Sequence, residues 1–474
     1  MTRRHVVSAA VLVAAAAGVG AGVWYVVGHR ADSGYTAQAE AIVQHPAAVR
    51  RARVLPRPCA HAAAAVSDPV LAAIIGSWSA KHPATAVTVW RTASATTACP
   101  VPVASHNQYS ALLPASNQKL ITSAGALLTL GPNFRYTTSL VAPAASTVNH
   151  GVLTGSVTLV GSGDPLFATT AYSHRYLGTT GDTINVLTGR LRRPSAAHPA
   201  VTHVTGALRV NASVFDADEF PPDWTTADIG SIQPLSGAAS NEDFAGDLQR
   251  SVVANPVLAT AQRLRAALHT AHVTTAPGAR IGSGAVPRVH RVLATVGSPP
   301  LRTIVRVMNV PSDDFIAEQL IKTVGAIPGA SGTSARGLVR VRTDMGHLLG
   351  VSRTGDYIAD GSGLARADRE TSLSLAWLML DAQRTPSWGG PLLASLPAPG
   401  QGTLRHRLGG VAGRVRAKTG TLNDVSSLTG IVHARNGKTY TFVILCNGLK
   451  PKDIAAAHTF QDAIVTRLAG GVAG

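Results

Sequence analysis

The stretch Pro114-Ala115-Ser116-Asn117-Gln118-Lys119-Leu120 opens an apolar run from Leu120 to Leu130 that stops at Gly131-Pro132. That run reads as a buried helix, with the Gly-Pro pair as its terminator. Ser116 and Lys119 stand three residues apart, which on a helix brings their side chains to one face. A serine hydroxyl is a weak nucleophile near neutral pH and needs an adjacent base. A lysine can serve if neighbouring charge and desolvation lower its pKa. The helix N-terminus also offers backbone N–H donors suited to a developing oxyanion. Alone, Ser-x-x-Lys fits an N-cap serine beside a surface lysine equally well.

A second stretch, Arg416-Ala417-Lys418-Thr419-Gly420-Thr421, lies on a strand that feeds an apolar hairpin. It places a cation and a hydroxyl on a strand edge, and Gly420 admits a ligand close to the backbone. An extended peptide can pair with such an edge while Lys418 meets its terminal carboxylate. Ser-x-x-Lys on a helix followed by Lys-Thr-Gly on a late strand is far more specific than either motif by itself. Between them lies Met308-Asn309-Val310-Pro311-Ser312-Asp313-Asp314.

With these three stretches in that order, the chain resembles the D-alanyl-D-alanine carboxypeptidase/endopeptidase family, the low-molecular-mass class C penicillin-binding proteins. Further matches are Leu159-Val160-Gly161-Ser162-Gly163-Asp164-Pro165, Ser298-Pro299-Pro300-Leu301, Asp360-Gly361-Ser362-Gly363-Leu364 and Gly402-Thr403-Leu404-Arg405, so the likeness covers roughly residues 70–470. Ser312 follows Ser116 by 196 positions, which leaves room for the inserted domains typical of the family. The resemblance implies an α+β fold: a serine β-lactamase/penicillin-binding-protein-like transpeptidase core of antiparallel sheet and helices, interrupted by a strand-rich insertion. It also implies roles. Ser116 would be the acylated nucleophile, Lys119 its base, and Ser312 a relay between Lys119 and the leaving amine. Lys418 and Thr419, with Gly420, would hold the substrate carboxylate, and the backbone N–H groups of Ser116 and Thr421 the oxyanion.

Asp314 departs from the pattern, because the family has an asparagine there that donates to a substrate carbonyl. A carboxylate cannot donate in that way and is expected to pair with Lys119 or Lys418. Pairing with Lys119 would favour the protonated amine and weaken the base.

The implied function is a serine-type D-Ala-D-Ala carboxypeptidase/endopeptidase working through an acyl-serine on peptidoglycan stem peptides, trapped by β-lactam antibiotics and needing no cofactor or metal. The alternative is a catalytically weak homologue that binds or scaffolds the cell wall, and Asp314 is the feature that sustains it. β-Lactamase activity is disfavoured, since no convincing glutamate stands ready to activate a deacylating water.

Composition fits this picture. With 474 residues, 45% hydrophobic and 14% charged, the chain can bury a sizeable core and is not disordered in bulk. The formal net charge is +17, with a pI near 10.6. Its arginines are scattered and rarely flanked by aromatics that could stack on bases, so no nucleic-acid partner is expected. An anionic wall or membrane surface accounts for the excess.

Arg3 and Arg4 precede an uncharged apolar run from Val6 to Gly28, long enough to cross a bilayer core and carrying Trp24-Tyr25 near its end. It reads as an uncleaved anchor, in preference to a cleaved signal, with the catalytic region outside the cell membrane. The expected organisation is therefore 1–30 membrane anchor or signal, 31–65 linker, 66–139 first part of the peptidase core, 140–290 inserted strand-rich region, and 291–474 second part of the core. Cys59 and Cys99 could pair in an exported protein, and Cys446 reads as a buried thiol in a strand.

Overall fold

The computed structural model describes residues 66–92, 100–178, 183–196, 198–247, 251–326, 330–349 and 355–472. The expected anchor, the linker, Cys59 and Cys99 lie outside the described residues. Among the described residues no helix is long and apolar enough to cross a membrane.

A five-stranded sheet forms the floor of the structure. Its strands are β1 (Thr85–Thr92), β2 (Val101–His106), β3 (Val415–Leu422), β4 (Val425–His433) and β5 (Thr439–Cys446), in the spatial order β3-β4-β5-β1-β2. Every pairing is antiparallel. Strand alternation splits β5 between two cores. Tyr440, Phe442, Ile444 and Cys446 face one core, and Val443 and Leu445 face the other. Burial drives the Cys446 thiol up to about 12, so it is an inert packing group.

The first core is closed by helices from the two ends of the described chain, α1 (Pro69–Ser79) and α6 (Ile454–Gly470). Asp68 starts α1 by accepting from the Leu71 N–H at 2.8 Å, ahead of Pro69 at the first helical position. The same carboxylate takes Arg467 of α6 at 2.6 Å, so one side chain caps one helix and ties it to the other.

The second core is helical. Its axis is α2 (Gln118–Leu130), buried without interruption from Gln118 to Leu127. Around it lie α3 (Leu301–Asn309), α4 (Asp314–Val324) and α5 (Ser372–Arg384). A helix buried on all sides cannot be amphipathic, which is why α2 reads as a near-continuous Ala/Leu run. α4 begins where the Asp313 side chain accepts from the Ile316 N–H at 2.9 Å, and it is buried from Phe315 to Val324.

Between α2 and α3 the chain makes two further sheets and a third core that includes Leu140, Leu159, Leu208, Val210, Leu264 and Leu268. The segment Val152 to Val160, which the sequence presents as one alternating strand, is two short strands, 152–153 and 157–160, in different sheets. Strands 157–160, 208–211 and 281–283 pair in parallel. Parallel neighbours cannot be joined by a tight turn and need a crossover, usually helical. Helices 184–190 and 256–270 supply those crossovers. The second is a full 15-residue helix capped by Asn255 and opened by Pro256.

Candidate active site

Ser116 sits on a 3₁₀ turn, Ala115–Asn117, that leads into α2. The turn is held in a costly conformation, with fully buried Ala115 at φ +48° in the left-handed region. Two side chains pin it to the sheet. Asn117 Nδ2 donates to Thr429 Oγ1 at 2.9 Å, and Ser427 Oγ donates to the Pro114 carbonyl at 2.7 Å. β3 then packs directly under the turn. A Cβ on Gly420 would lie 2.3 Å from Ser427 Oγ, 2.8 Å from the Pro114 oxygen and 2.9 Å from the Ser116 nitrogen. The glycine is thus required by the approach of the protein's own Ser116 backbone, rather than only by that of a ligand.

Lys119 is fully buried. Its ammonium donates to Ser116 Oγ at 3.1 Å, Asp314 Oδ1 at 2.5 Å and the Ser362 carbonyl at 2.7 Å, which uses all its donors. Of the two lysines expected as partners for Asp314, the structure selects Lys119. The Ser362 carbonyl is aimed by a buried carboxyl one turn along α4: Glu318 Oε1 accepts from the N–H groups of Gly361 at 2.9 Å and Ser362 at 2.7 Å. Burial, then the charge of Asp360, pushes Glu318 well above the usual carboxylate range. Asp360 organises the same loop, accepting from the N–H groups of Gly363 at 2.6 Å and Ala365 at 2.7 Å.

A second cluster adjoins the first. Ser312, at φ +68°, accepts from Lys418 Nζ at 2.8 Å. Lys418 also donates to the Thr419 carbonyl at 2.9 Å. Burial first, and then the positive charge of Lys119, hold the Lys418 ammonium well below its usual range, with Asp314 opposing. Thr419 Oγ1 donates to Thr403 Oγ1 at 2.7 Å. Thr421 is exposed at the end of β3, paired with Ser426. Ser116, Lys119 and Asp314 thus form one hydrogen-bonded group, and Ser312, Lys418 and Thr419 a neighbouring one. Ser312 is bonded to Lys418 rather than to Lys119.

Glu318, Ser362 and Thr403 also belong to these clusters, beyond the residues the motifs single out. The last two lie in the Asp360-Gly-Ser-Gly and Gly402-Thr403-Leu404 stretches, whose turn-forming composition was the available signal. Glu318 left none, since a single carboxylate on a helix looks solvated. No group of three or more His, Cys, Asp or Glu side chains able to hold a metal ion occurs among the described residues.

A strained serine turn with lysine one helical turn on, set above an edge strand carrying Lys-Thr-Gly, defines an active-site serine hydrolase of the penicillin-binding-protein and β-lactamase fold. The structure of penicillin binding protein 4 from Haemophilus influenzae shares that fold, with a TM-score of 0.67 at 20% identity, covering 83% of this chain and 99% of that one. A second structure of it, complexed with a β-lactam, gives 0.62 at 21% identity over 83% and 99%. A carboxypeptidase of Mycobacterium tuberculosis is 31% identical over 368 residues, 75% of each chain. A D-alanyl-D-alanine carboxypeptidase of an Actinomadura strain is 37% identical over 201 residues, 40% of this chain and 36% of that protein. The family model described as D-Ala-D-Ala carboxypeptidase 3 (S13) matches residues 80–244 and 235–470, and the chain belongs to that family of serine carboxypeptidases.

Proposed function

We propose that this enzyme cleaves the D-Ala-D-Ala end of peptidoglycan stem peptides through an ester on Ser116. The observation that carries the reading is the 3.1 Å contact between Lys119 Nζ and Ser116 Oγ at the mouth of α2. Ser116 Oγ attacks the carbonyl of the penultimate D-Ala, and its proton passes to Lys119 in the free-amine form. The peptide C–N bond breaks as the terminal D-Ala leaves with a proton delivered through Ser312, and water then hydrolyses the ester. Lys418 and Thr419 hold the terminal carboxylate. The backbone N–H groups of Ser116 and Thr421 take the oxyanion, and Asp314 lines the substrate side of Lys119.

β-Lactams carry a strained amide beside a carboxylate and acylate the same serine. Labelled penicillin should therefore mark the protein at Ser116, with the label lost in Ser116→Ala. Peptide mapping that puts the label elsewhere overturns the assignment. Mass analysis of products from a cross-linked muropeptide separates carboxypeptidase from endopeptidase action. The short Lys119–Asp314 pair favours a second reading, a catalytically weak wall-binding protein. A folded protein that labels with penicillin but releases no D-Ala from any stem peptide would support it.

We further infer a membrane-tethered organisation with the peptidase outside the cell. Residues 1–30 anchor the chain in the cell membrane with 31–65 as a tether, the peptidase core is 66–139 with 291–474, and 140–290 is inserted. The motivation is Arg3-Arg4 ahead of the Val6 to Gly28 run, together with a substrate that exists only outside. Protease added to intact spheroplasts should digest the region after residue 30, and full protection ends the idea.

A further inference from the structure

We propose that Thr403 is a positioning residue for the substrate's terminal carboxylate, and that it sets the preference for acyl donors ending in a free carboxylate over those ending in a neutral group. This rests on the reading in which Lys418 and Thr419 hold that carboxylate.

The observation is the hydroxyl pair Thr419 Oγ1–Thr403 Oγ1 at 2.7 Å. Thr403 occupies a 3₁₀ turn, Gly402–Leu404, that is fastened on both flanks. On one flank its N–H donates to the Val310 carbonyl at 3.2 Å, two residues before Ser312. Gly402 takes φ +45°, and a Cβ there would lie 1.9 Å from the same carbonyl oxygen. On the other flank, the chain leading into the turn is stitched to β3: the Ala417 N–H donates to the Pro397 carbonyl at 3.1 Å, and Arg416 Nη1 donates to the Leu396 carbonyl at 3.0 Å. Leu404 is fully buried in the core beneath. Thr403 is therefore wedged between the Ser312 turn and the Lys418-Thr419 strand, with its hydroxyl fixed on that of Thr419.

A hydroxyl has one proton to give and two lone pairs to accept with. In the resting structure Thr419 gives its proton to Thr403. Lys418 has committed bonds to Ser312 Oγ and the Thr419 carbonyl. An arriving carboxylate draws the Thr419 proton toward itself, and the Thr403 hydroxyl can reverse to donate to Thr419 Oγ1. The two bonds then run in one direction, so the carboxylate charge is met by a polarised chain of donors rather than a single one. A neutral C-terminal amide draws the chain far less. No ionisation of either threonine is involved, so the preference persists across the pH range in which the enzyme is active.

The test compares N-acyl-D-alanyl thioesters whose leaving group ends in a carboxylate or in the corresponding amide. The thioester keeps turnover of the neutral form measurable. Thr403→Val, which keeps the shape and removes the hydroxyl, is expected to lower the acid-to-amide ratio of kcat/KM by roughly tenfold, mainly through KM for the acid. Thr403→Ser should restore the ratio, which a packing defect would not do. Thr419→Val calibrates the carboxylate site itself. A lowered ratio in Thr419→Val beside an unchanged ratio in a folded Thr403→Val overturns the role of Thr403 and leaves the carboxylate site standing. An unchanged ratio in both variants overturns the two together.

Discussion

Asp314 Oδ1 lies 2.5 Å from Lys119 Nζ, and the lysine is wholly buried while the Asp314 side chain is 28% exposed. The cation is thus inside the protein and its anion partly exposed. The carboxylate takes one of the three donors of Lys119, beside the bonds to Ser116 Oγ and the Ser362 carbonyl. It also presents an acceptor where an amide would present a donor.

Asp314→Asn should therefore accelerate penicillin acylation and D-Ala release. The gain could reach roughly a hundredfold, the worth of one well-placed donor to a developing charge. The amide oxygen can still accept from Lys119, so the buried ammonium is not orphaned and the variant should fold. Stopped-flow acylation and D-Ala release are the measurements. Unchanged or lower rates would show that the aspartate is adapted to this enzyme's own chemistry, as a group that orients Lys119.

Gly420→Ala is expected to damage function more than stability. The nearest atoms to the new methyl are Ser427 Oγ, the Pro114 carbonyl and the Ser116 nitrogen. Ser427 can rotate, but the two backbone atoms belong to the turn that carries Ser116. Displacing that turn by a fraction of an ångström should slow penicillin acylation by about a hundredfold. The overpacking itself should cost about 1–3 kcal/mol in a denaturant melt. Acylation at the parental rate in a folded variant would show that β3 does not position the serine turn.

The motifs of the candidate site were legible because each is local. Ser116 and Lys119 share one helical turn, and Lys418, Thr419 and Gly420 are consecutive. Helix 118–130 was legible too, through its apolar run stopped at Gly131-Pro132. Helix 256–270 was not, although Asn255-Pro256 is a sound start signal. Its surroundings are rich in Gly, Ser and Thr, and its necessity comes from the parallel pairing of 208–211 with 281–283, which no local pattern reveals. The choice of Lys119 over Lys418 by Asp314 was likewise out of reach. It depends on α4 meeting α2 across a separation of 195 residues. Glu318 and Thr403 act through backbone carbonyls or a second hydroxyl, and contacts at that remove have no sequence spacing to read.

Glu318 should make stability fall as pH rises. The carboxyl is fully buried at the centre of the helical core, and its Oε2 has no hydrogen-bond partner. Its folded-state pKa is raised well above 4.5 by burial, with the charge of Asp360 adding to it. A group with a raised folded pKa binds more protons in the native protein than in the unfolded chain. Its contribution is therefore fully present below 4.5 and is lost as pH climbs through the folded value. Asp368 is raised in the same direction, also by burial first and the charge of Asp360 second, and it steepens the trend. Glu318→Gln removes one titration while keeping an oxygen that can accept from the Gly361 and Ser362 N–H groups. The variant should gain on the parent as pH rises, with a higher melting temperature at about pH 8 and no advantage near pH 4. Because the loop that aims the Ser362 carbonyl at Lys119 is retained, penicillin acylation should survive in Glu318→Gln. It should fall sharply in Glu318→Leu, which leaves both N–H groups unpaired. Melting curves that run parallel across the pH range for parent and Gln variant would show that Glu318 does not titrate on folding. Equal acylation by the Gln and Leu variants would show that it does not set the Ser362 carbonyl.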